Sequence, residues 1–205
     1  MSREGVGMSH PRWDDAYTGE FPSPWDIGRP QPVFIGLAQR GLLSGQVLDA
    51  GCGTGEHALL AASRGADARG VDVAPRAIEI ARGKAAERDI SARFDVGDAL
   101  TFADMEIEAD TVIDSGLFHV FSDEDRPRYV ASLASALRPG GHCYLMCFSD
   151  LQPGHQGPRR VSQQELRASF ATGWQVESIS PATFEVNRSF GTTSTRAWLA
   201  DFRRT

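Results

Sequence analysis

Short apolar runs alternate with amphipathic segments along most of the chain, and a proline-rich stretch comes before them. Prolines interrupt residues 1–32 five times and exclude a long regular element there. Trp13, Tyr17 and Trp25 lie in the same stretch. We therefore expect residues 1–32 to form an arm that packs over the remainder, and we expect residues 33–205 to form a single domain.

Beyond the arm, apolar runs bounded by glycine and proline alternate with stretches of helical periodicity. The predicted strands are 46–50, 68–73, 92–96, 110–114, 142–148, 174–180 and 193–202. The predicted helices are 33–40, 56–64, 75–88, 123–137 and 162–170. This alternation indicates an α/β fold with a mainly parallel sheet, helices on both faces, and a ligand site beyond the carboxyl ends of the strands.

Composition and charge narrow the classes of partner. The 21 basic and 27 acidic residues give a net charge of −6. A negatively charged protein of this kind is not expected to bind nucleic acid or an anionic membrane. No apolar run is long enough to span a bilayer, and the N-terminus lacks the apolar core of an export signal. The three cysteines suit a reducing compartment, and no cysteine or histidine spacing indicates a metal site. We expect a cytoplasmic protein, either a monomer or a homodimer.

The strongest motif is VLDAGCGTGE, residues 47–56, in which a strand runs into a glycine loop and a helix. Glycines allow a tight turn and a close approach of the backbone to a ligand, here a dinucleotide or another adenosine cofactor. A pyrophosphate favours a helix N-terminus without nearby carboxylates. Asp49 before the loop and Glu56 after it therefore favour a ligand with cationic groups.

Three further acids lie at or just after the ends of the next predicted strands: Asp72 and Asp114 lie at the ends of their strands, and Asp98 comes shortly after the third strand. Asp72 holds the usual position for gripping ribose hydroxyls. Together with Asp49, these carboxylates match a ligand that carries an ammonium group, a sulfonium, a ribose diol and an exocyclic amine, as S-adenosyl-L-methionine does. The alternative for Asp98 and Asp114 is that they are solvated loop acids.

The segments VLDAGCGTG, GVDVAP, GDA and PGG, in this order within residues 45–148, resemble the motifs of class I S-adenosyl-L-methionine-dependent methyltransferases. The resemblance implies a Rossmann-like, seven-stranded sheet whose last strand is antiparallel. It also implies these cofactor contacts: Gly51 and Gly53 behind the methionine, Asp72 and Val73 at the ribose, Asp98 and Ala99 near the adenine, and Asp114 with Ser115.

The segments 24–32, 114–119, 148–150 and 157–160 resemble short bacterial small-molecule methyltransferases. These include the thiopurine and tellurite-resistance group and mycobacterial enzymes that methylate heterocyclic phenols or quinones. The resemblance implies methyl transfer to an O, N or S atom of a small aromatic or heterocyclic acceptor. Two other hypotheses stay open at this point: a non-catalytic protein that binds the same cofactor, and a dinucleotide-dependent oxidoreductase.

Four residues are candidates for the surroundings of the reacting sulfonium. His119 could take a proton from the acceptor, or it could be a structural histidine beneath the cofactor. Asp114 could hold the acceptor or the cofactor's ammonium group. Trp13 and Trp25 could cover the cofactor, where an aromatic face beside a sulfonium gains roughly 0.5–2 kcal/mol, or they could only attach the arm to the core. A base is needed only if the acceptor is protonated, because a sulfonium methyl group is already activated.

Aromatic and basic residues are candidates for the acceptor site. Trp25, Phe118 and Phe148 could line a pocket for flat rings, although ordinary core packing would also explain the two phenylalanines. Arg159 and Arg160 could meet an acidic acceptor, or they could belong to a solvated hairpin. The sequence leaves these alternatives open.

Overall fold

Seven strands form one sheet in the computed structural model, which describes residues 10–19 and 23–205. The strands are β1, Gln46–Ala50; β2, Asp67–Asp72; β3, Arg93–Val96; β4, Ala109–Ser115; β5, Leu137–Phe148; β6, Trp174–Glu185; and β7, Ser194–Arg204. Their order across the sheet is β3-β2-β1-β4-β5-β7-β6. The first five strands pair in parallel, and β7 is antiparallel to both of its neighbours. The predicted mainly parallel sheet with an antiparallel last strand is confirmed.

Helices connect most of the strands. The α-helices of the described residues are α1, His10–Asp15; α2, Pro32–Gln39; α3, Glu56–Ser63; α4, Pro75–Glu87; α5, Asp125–Ala136; and α6, Gln163–Ser169. Short 3-10 helices cover Ala99–Met105, Phe118–Val120 and Arg188–Phe190. None of the helices in these residues combines the length and the apolar content that crossing a membrane requires.

Apolar side chains alternate along the central strands and pack under different helices on the two faces of the sheet. Val112 and Leu145 belong to the core under α5 and α6, in which Tyr129 and Phe170 are fully buried. Ile113, next to Val112 in β4, belongs to the opposite core, under α2, α3 and α4. Successive side chains of a strand point to opposite faces, so the helices cover the sheet on both sides, as expected.

Three elements differ from the predictions. A six-residue helix, α1, interrupts the arm, because a proline is tolerated in the first turn of a helix, where its missing N–H has no partner. β5 begins at Leu137 instead of residue 142, since Leu137 pairs with Ala109 before the register shifts. β6 extends to Glu185, where it still pairs with Ser194 of β7. The last two strands therefore form a longer hairpin than predicted.

The register of the parallel strands brings their carboxyl ends to one edge. Ala50, the last residue of β1, lies opposite Val71 of β2 and Asp114 of β4. Asp72 lies opposite Val96, the last residue of β3. The loops that carry the predicted acids therefore meet along this edge, which locates the candidate site.

Candidate active site

Two backbone donors fix the loop between β1 and α3 to the end of β2. The Cys52 N–H donates to the Val71 carbonyl oxygen at 3.0 Å. The Gly53 N–H donates to Asp72 Oδ2 at 2.8 Å. Asp72 therefore shapes the glycine loop as well as standing at its rim.

Two glycines of this loop lie where side chains would not fit. Gly51 and Gly53 have φ angles of +66° and +51°, in the left-handed region that favours glycine. A Cβ atom at Gly51 would lie 2.9 Å from the Leu117 side chain, and one at Gly53 would lie 3.0 Å from Tyr17 Oη. The loop thus offers bare backbone, which suits the close approach of a cofactor.

Asp49 and Asp72 form an acidic pair behind this loop. Asp49 is buried and accepts a hydrogen bond from the Ala58 N–H at 3.0 Å. Burial raises the pKa of Asp49 to about 7, and the Asp72 charge adds to this effect. Burial also raises the pKa of Asp72, although the Ala74 and Gly53 N–H groups oppose the change. Buried acids of this kind gain from a bound cation, so they fit the ammonium and sulfonium groups of S-adenosyl-L-methionine.

Asp98 lies next to Asp72 because the loops after β2 and β3 are joined. The Gly97 N–H donates to the Asp72 carbonyl oxygen at 3.0 Å. Asp98 accepts a hydrogen bond from the Leu100 N–H at 2.9 Å and so begins a 3-10 helix. Val96, just before this turn, is 50% exposed. Two carboxylates beside an exposed apolar side chain suit a ribose and an attached flat base.

The remaining residues implied as cofactor contacts lie on the same edge. Val73 follows Asp72, and Ser115 follows Asp114; both side chains are half-buried. Ala99 is buried at the start of the 3-10 helix after β3. The fold therefore gathers these residues along the rim of one sheet, although they are separated in the sequence.

The Asp114 carboxylate accepts its hydrogen bonds from groups inside the protein. Asp114 is fully buried. Its carboxylate accepts from the Leu117 N–H at 2.7 Å, the Phe118 N–H at 3.1 Å and the Tyr129 hydroxyl at 2.9 Å. Burial raises the pKa of Asp114 to about 7. The carboxylate thus fixes the turn after β4 and presents no exposed oxygen to an acceptor.

His119 is a hydrogen-bonded, neutral histidine. The Phe148 N–H donates to His119 Nδ1 at 3.0 Å, so the ring proton belongs on Nε2. Burial lowers the pKa of His119 to about 3, and the charges of Arg160 and Arg126 reinforce the shift. A Cβ atom at Gly116 would lie 3.4 Å from Nε2. At neutral pH the ring is therefore a hydrogen-bond donor beside the bare backbone of Gly116, and it is not a base.

An aromatic cluster forms beside His119. The Phe148 ring centroid lies 5.1 Å from that of His119, 5.3 Å from that of Phe184 and 6.0 Å from that of Phe190. Phe184 and Phe190 come from β6 and the 3-10 helix after it. Sequence reasoning missed both residues, because nothing in their local pattern reveals that the last hairpin reaches the site.

Two predicted acceptor contacts are engaged elsewhere. Phe118 is fully buried in the core under α5 and α6, with its ring centroid 6.0 Å from that of Phe170. Arg159 forms ion pairs with Asp123 and Glu165. The Phe118 ring therefore packs in the core, and the charge of Arg159 is already paired with carboxylates.

The arm folds over the glycine loop. The Trp25 indole N–H donates to Tyr17 Oη at 3.1 Å, and the Trp13 ring centroid lies 5.8 Å from that of Trp25. Trp25 is 38% exposed. Residues 1–9 and 20–22 of the predicted arm lie outside the described residues. Tyr17 lies against Gly53 of the loop, and the two tryptophans pack beside it through Trp25.

A hydrogen-bonded chain attaches the arm to the glycine loop. The Thr54 hydroxyl donates to Asp26 Oδ2 at 3.0 Å and accepts from Lys84 Nζ at 2.7 Å. Lys84 and Arg88 also hold the Glu56 carboxylate, with contacts of 2.8–2.9 Å. The charge of Glu56 is therefore neutralised by Lys84 of α4 and by Arg88, which directly follows α4. The interpretation that Glu56 attracts a cationic ligand is corrected.

The far end of the arm is attached to the last hairpin. The Gln31 side chain exchanges two hydrogen bonds with the backbone of Glu185, each of 2.8 Å. The Asn187 N–H donates to the Pro24 carbonyl oxygen at 2.8 Å, and its side-chain amide donates to the Ser23 carbonyl oxygen at 2.6 Å. The arm thus spans the site from the glycine loop to the hairpin that carries the aromatic cluster.

Within residues 10–19 and 23–205, no three His, Cys, Asp or Glu side chains lie together as metal ligands would. The three cysteines are buried free thiols. Burial raises the pKa of each, so none is poised as a thiolate.

Known proteins share this architecture. Residues 47–141 match the family model described as a methyltransferase domain. The chain is 40% identical to the 2-heptyl-1-hydroxyquinolin-4(1H)-one methyltransferase of Mycobacteroides abscessus, over 85% of this chain and 81% of that protein. It is 28% identical to probable thiol methyltransferase 2 of Arabidopsis thaliana, over 87% and 78%. A solved structure from work on the conversion of a disulfide bond into a thioacetal group during echinomycin biosynthesis is 38% identical, with a TM-score of 0.86 over 96% and 93% of the two chains.

Proposed function

Since this chain belongs to the S-adenosyl-L-methionine-dependent methyltransferases, we propose that it methylates an O or S atom of a small, flat, acidic acceptor of aromatic or heterocyclic type. The family excludes the oxidoreductase hypothesis and makes the chain an enzyme rather than a non-catalytic binding protein. The proposal concerns the acceptor and the residues that serve the reaction.

We infer the residues that bind the cofactor from their positions at the carboxyl edge of the sheet. Gly51 and Gly53 would lie behind the methionine part, and Asp49 behind them would favour its cationic groups. Asp72 would hold the ribose and Asp98 would lie near the adenine. Val73, Ala99 and Ser115 would complete the contacts. Bound S-adenosyl-L-methionine supplies a methyl group on a sulfonium, which needs no further activation.

The main support for an acidic acceptor is that His119 is neutral. His119 Nδ1 accepts the Phe148 N–H, and burial lowers the pKa of the ring to about 3. The buried Asp114 carboxylate is occupied by three donors from its own turn and from Tyr129. Neither group suits the removal of a proton at neutral pH. The acceptor should therefore ionise by itself, as an acidic phenol, N-hydroxy heterocycle or thiol does.

An ionised acceptor suits the rest of the chemistry. Its O or S atom forms a bond to the methyl carbon while the carbon–sulfur bond breaks, and the electron pair stays on sulfur. No proton has to move, so orientation and exclusion of water supply most of the rate. Two relatives are named as a hydroxyquinolinone methyltransferase and a probable thiol methyltransferase, and acceptors of these two classes are compatible with the proposal.

We also propose that the arm acts as a lid. Tyr17 lies against the glycine loop and packs on Trp25, which packs on Trp13. Trp13 and Trp25 would cover the cofactor, and Trp25 would also contact the acceptor. Phe148 would form the facing wall together with Phe184 and Phe190. Closure of the lid would exclude water from the reacting sulfonium.

The test is a methylation screen with methyl-labelled S-adenosyl-L-methionine, in which mass spectrometry locates the label. Phenols, N-hydroxyquinolones and aromatic thiols are compared with amines of the same ring shape. We expect label on O or S of the most acidic members and none on the amines. Methylation confined to amines, or of no acidic acceptor at all, would contradict the proposal. The Gly53→Val variant serves as the inactive control.

A further inference from the structure

Arg159 and Arg160 are neighbours in the chain, but they have different surroundings. The Arg159 side chain is 41% exposed and is paired with Asp123 and Glu165. The Arg160 guanidinium lies over the Phe148 ring, with its central carbon 5.3 Å from the ring centroid. Only Arg160 therefore brings its charge to the aromatic cluster of the acceptor side.

Within the part of the chain that the structure describes, the Arg160 guanidinium has no carboxylate partner. Its side chain donates to backbone carbonyl oxygens of the loop after β5, at 2.8 Å to Gln156 and 2.5 Å to Pro158, with longer contacts to Gln152 and Gly154. Among the ion pairs of residues 10–19 and 23–205, none involves Arg160. Carbonyl oxygens satisfy the donors of a guanidinium but do not cancel its charge, so its field persists at Phe148.

The other charges near this loop largely cancel one another. The charged side chains and histidines on the surrounding elements are His119, Asp123, Arg126, Asp150, His155, Arg159, Glu165, Glu185, Arg188 and Arg196. Glu185 pairs with Arg29. Asp123 and Glu165 both pair with Arg126 and Arg159. The exposed Asp150 carboxylate accepts the Trp198 indole N–H at 3.1 Å, and water screens an exposed charge. Arg188 and Arg196 also lack an ion pair among the described residues, but both are exposed. The half-buried Arg160 is the described cation without a carboxylate partner that lies over the Phe148 ring.

We propose that Arg160 makes the enzyme select the anionic form of its acceptor, with the His119 Nε2–H as the neutral donor to the same oxygen or sulfur. This inference rests on the proposed function in one respect, namely that the acceptor lies against Phe148. The ligand class is a planar phenolate, N-hydroxy anion or thiolate. Arg160 is a specificity-determining residue: the electrostatic field of its guanidinium acts across the Phe148 ring, and Arg160 takes no proton.

The test measures the ionisation of a bound acceptor directly. para-Nitrophenol has different absorption spectra as phenol and as phenolate, so its pKa can be titrated in the complex with the protein and S-adenosylhomocysteine. We expect the wild-type complex to lower this pKa by about one unit, a tenfold preference for the anion, as one nearby, partly buried charge would produce. Arg160→Gln should remove that shift. Arg160→Lys should keep most of this pKa shift, because lysine retains the positive charge although it lacks the planar guanidinium group.

Arg159→Gln is the matched control, since it removes the neighbouring charge, which is already paired; its titration should follow the wild type. The inference would be overturned if bound para-nitrophenol had the same pKa in Arg160→Gln as in the wild type. It would also be overturned if the pKa were the same in Arg160→Lys as in Arg160→Gln, because Arg160 would then have only a structural role. If Arg160→Gln does not fold, the affinities of the wild-type protein for a charged and an uncharged ligand test the inference instead. The phenolate should bind about tenfold more tightly than uncharged para-nitroaniline, and equal binding would overturn the inference.

Failure of this inference is distinguishable from failure of the proposed function. Methylation of para-nitrophenol without any dependence on Arg160 would overturn the inference alone. Absence of methylation of every acidic acceptor would overturn the proposed function, whichever ionisation state the protein binds.

Discussion

The glycine-loop part of the cofactor side comes from one short stretch of sequence together with Asp72, whereas the acceptor side is assembled from residues that are far apart in the chain. On the cofactor side, residues 49–55 and Asp72 contact one another through backbone hydrogen bonds. On the acceptor side, His119 meets Phe148, which in turn meets Phe184 from the last hairpin. A local motif specifies the first side, while the second depends on the whole fold, so the acceptor can change without disturbing the cofactor.

Gly53→Val should break the cofactor side most severely. Its positive φ strains a branched residue, and the new side chain would enter the space between the loop and Tyr17. We expect loss of measurable S-adenosyl-L-methionine binding by calorimetry. Gly83→Val is the matched control, because that glycine faces open space. Tight binding by a folded Gly53→Val protein would show that this loop is not the cofactor site.

Asp72→Ala should have the next largest effect on the cofactor side. The change removes a ribose contact and frees the Gly53 N–H, so cofactor binding should weaken by about 1.5–3 kcal/mol. Asp67→Ala, at the start of the same strand, removes only an exposed pair with Arg93 and should have little effect. Equal affinities of the two variants would exclude Asp72 from the ribose role.

Asp49 should make cofactor binding depend on pH. Its pKa is raised to about 7 in the free protein, and a bound cation would lower it, so binding releases a proton. Affinity should therefore rise up to about tenfold as the pH increases from about 6 to about 8. Calorimetry in buffers of different ionisation enthalpy measures the release, and Asp49→Asn should reduce it. Proton uptake on binding would have the wrong sign for this account.

Thr54→Val should produce the smallest effect, because it loosens the arm without removing a cofactor contact. The change deletes the hydroxyl between Asp26 and Lys84, at a cost of about 1 kcal/mol. We expect slightly weaker cofactor binding and faster proteolysis of the arm, with S-adenosylhomocysteine restoring protection. Thr183→Val, on the exposed surface of β6, is the control. Equal cleavage with and without ligand would indicate that the arm does not close on the cofactor.

The contrast between the two sides also explains which features could be predicted from sequence. The succession of strands and helices along the chain follows from local periodicity, and the glycine loop follows from one contiguous motif. Asp72 follows from its position at the end of the second predicted strand, and the seven-stranded sheet is implied by the family resemblance. Phe184 and Phe190 could not be predicted, because their role depends on the hairpin partner and on the anchoring of the arm by Gln31. The state of His119 also required the structure, since only the backbone of Phe148 reveals which ring nitrogen carries the proton.

The central claim is that the acceptor side provides no base and that the acceptor ionises by itself. The most direct measurement is the pH dependence of kcat/KM for a series of phenols or thiols that share one ring shape and differ in pKa. The account predicts that the midpoint of the rise in kcat/KM follows the pKa of each free acceptor, and that His119→Asn lowers the rate without changing this relation. One fixed midpoint for all acceptors, lost in His119→Asn and recovered at high pH, would contradict it.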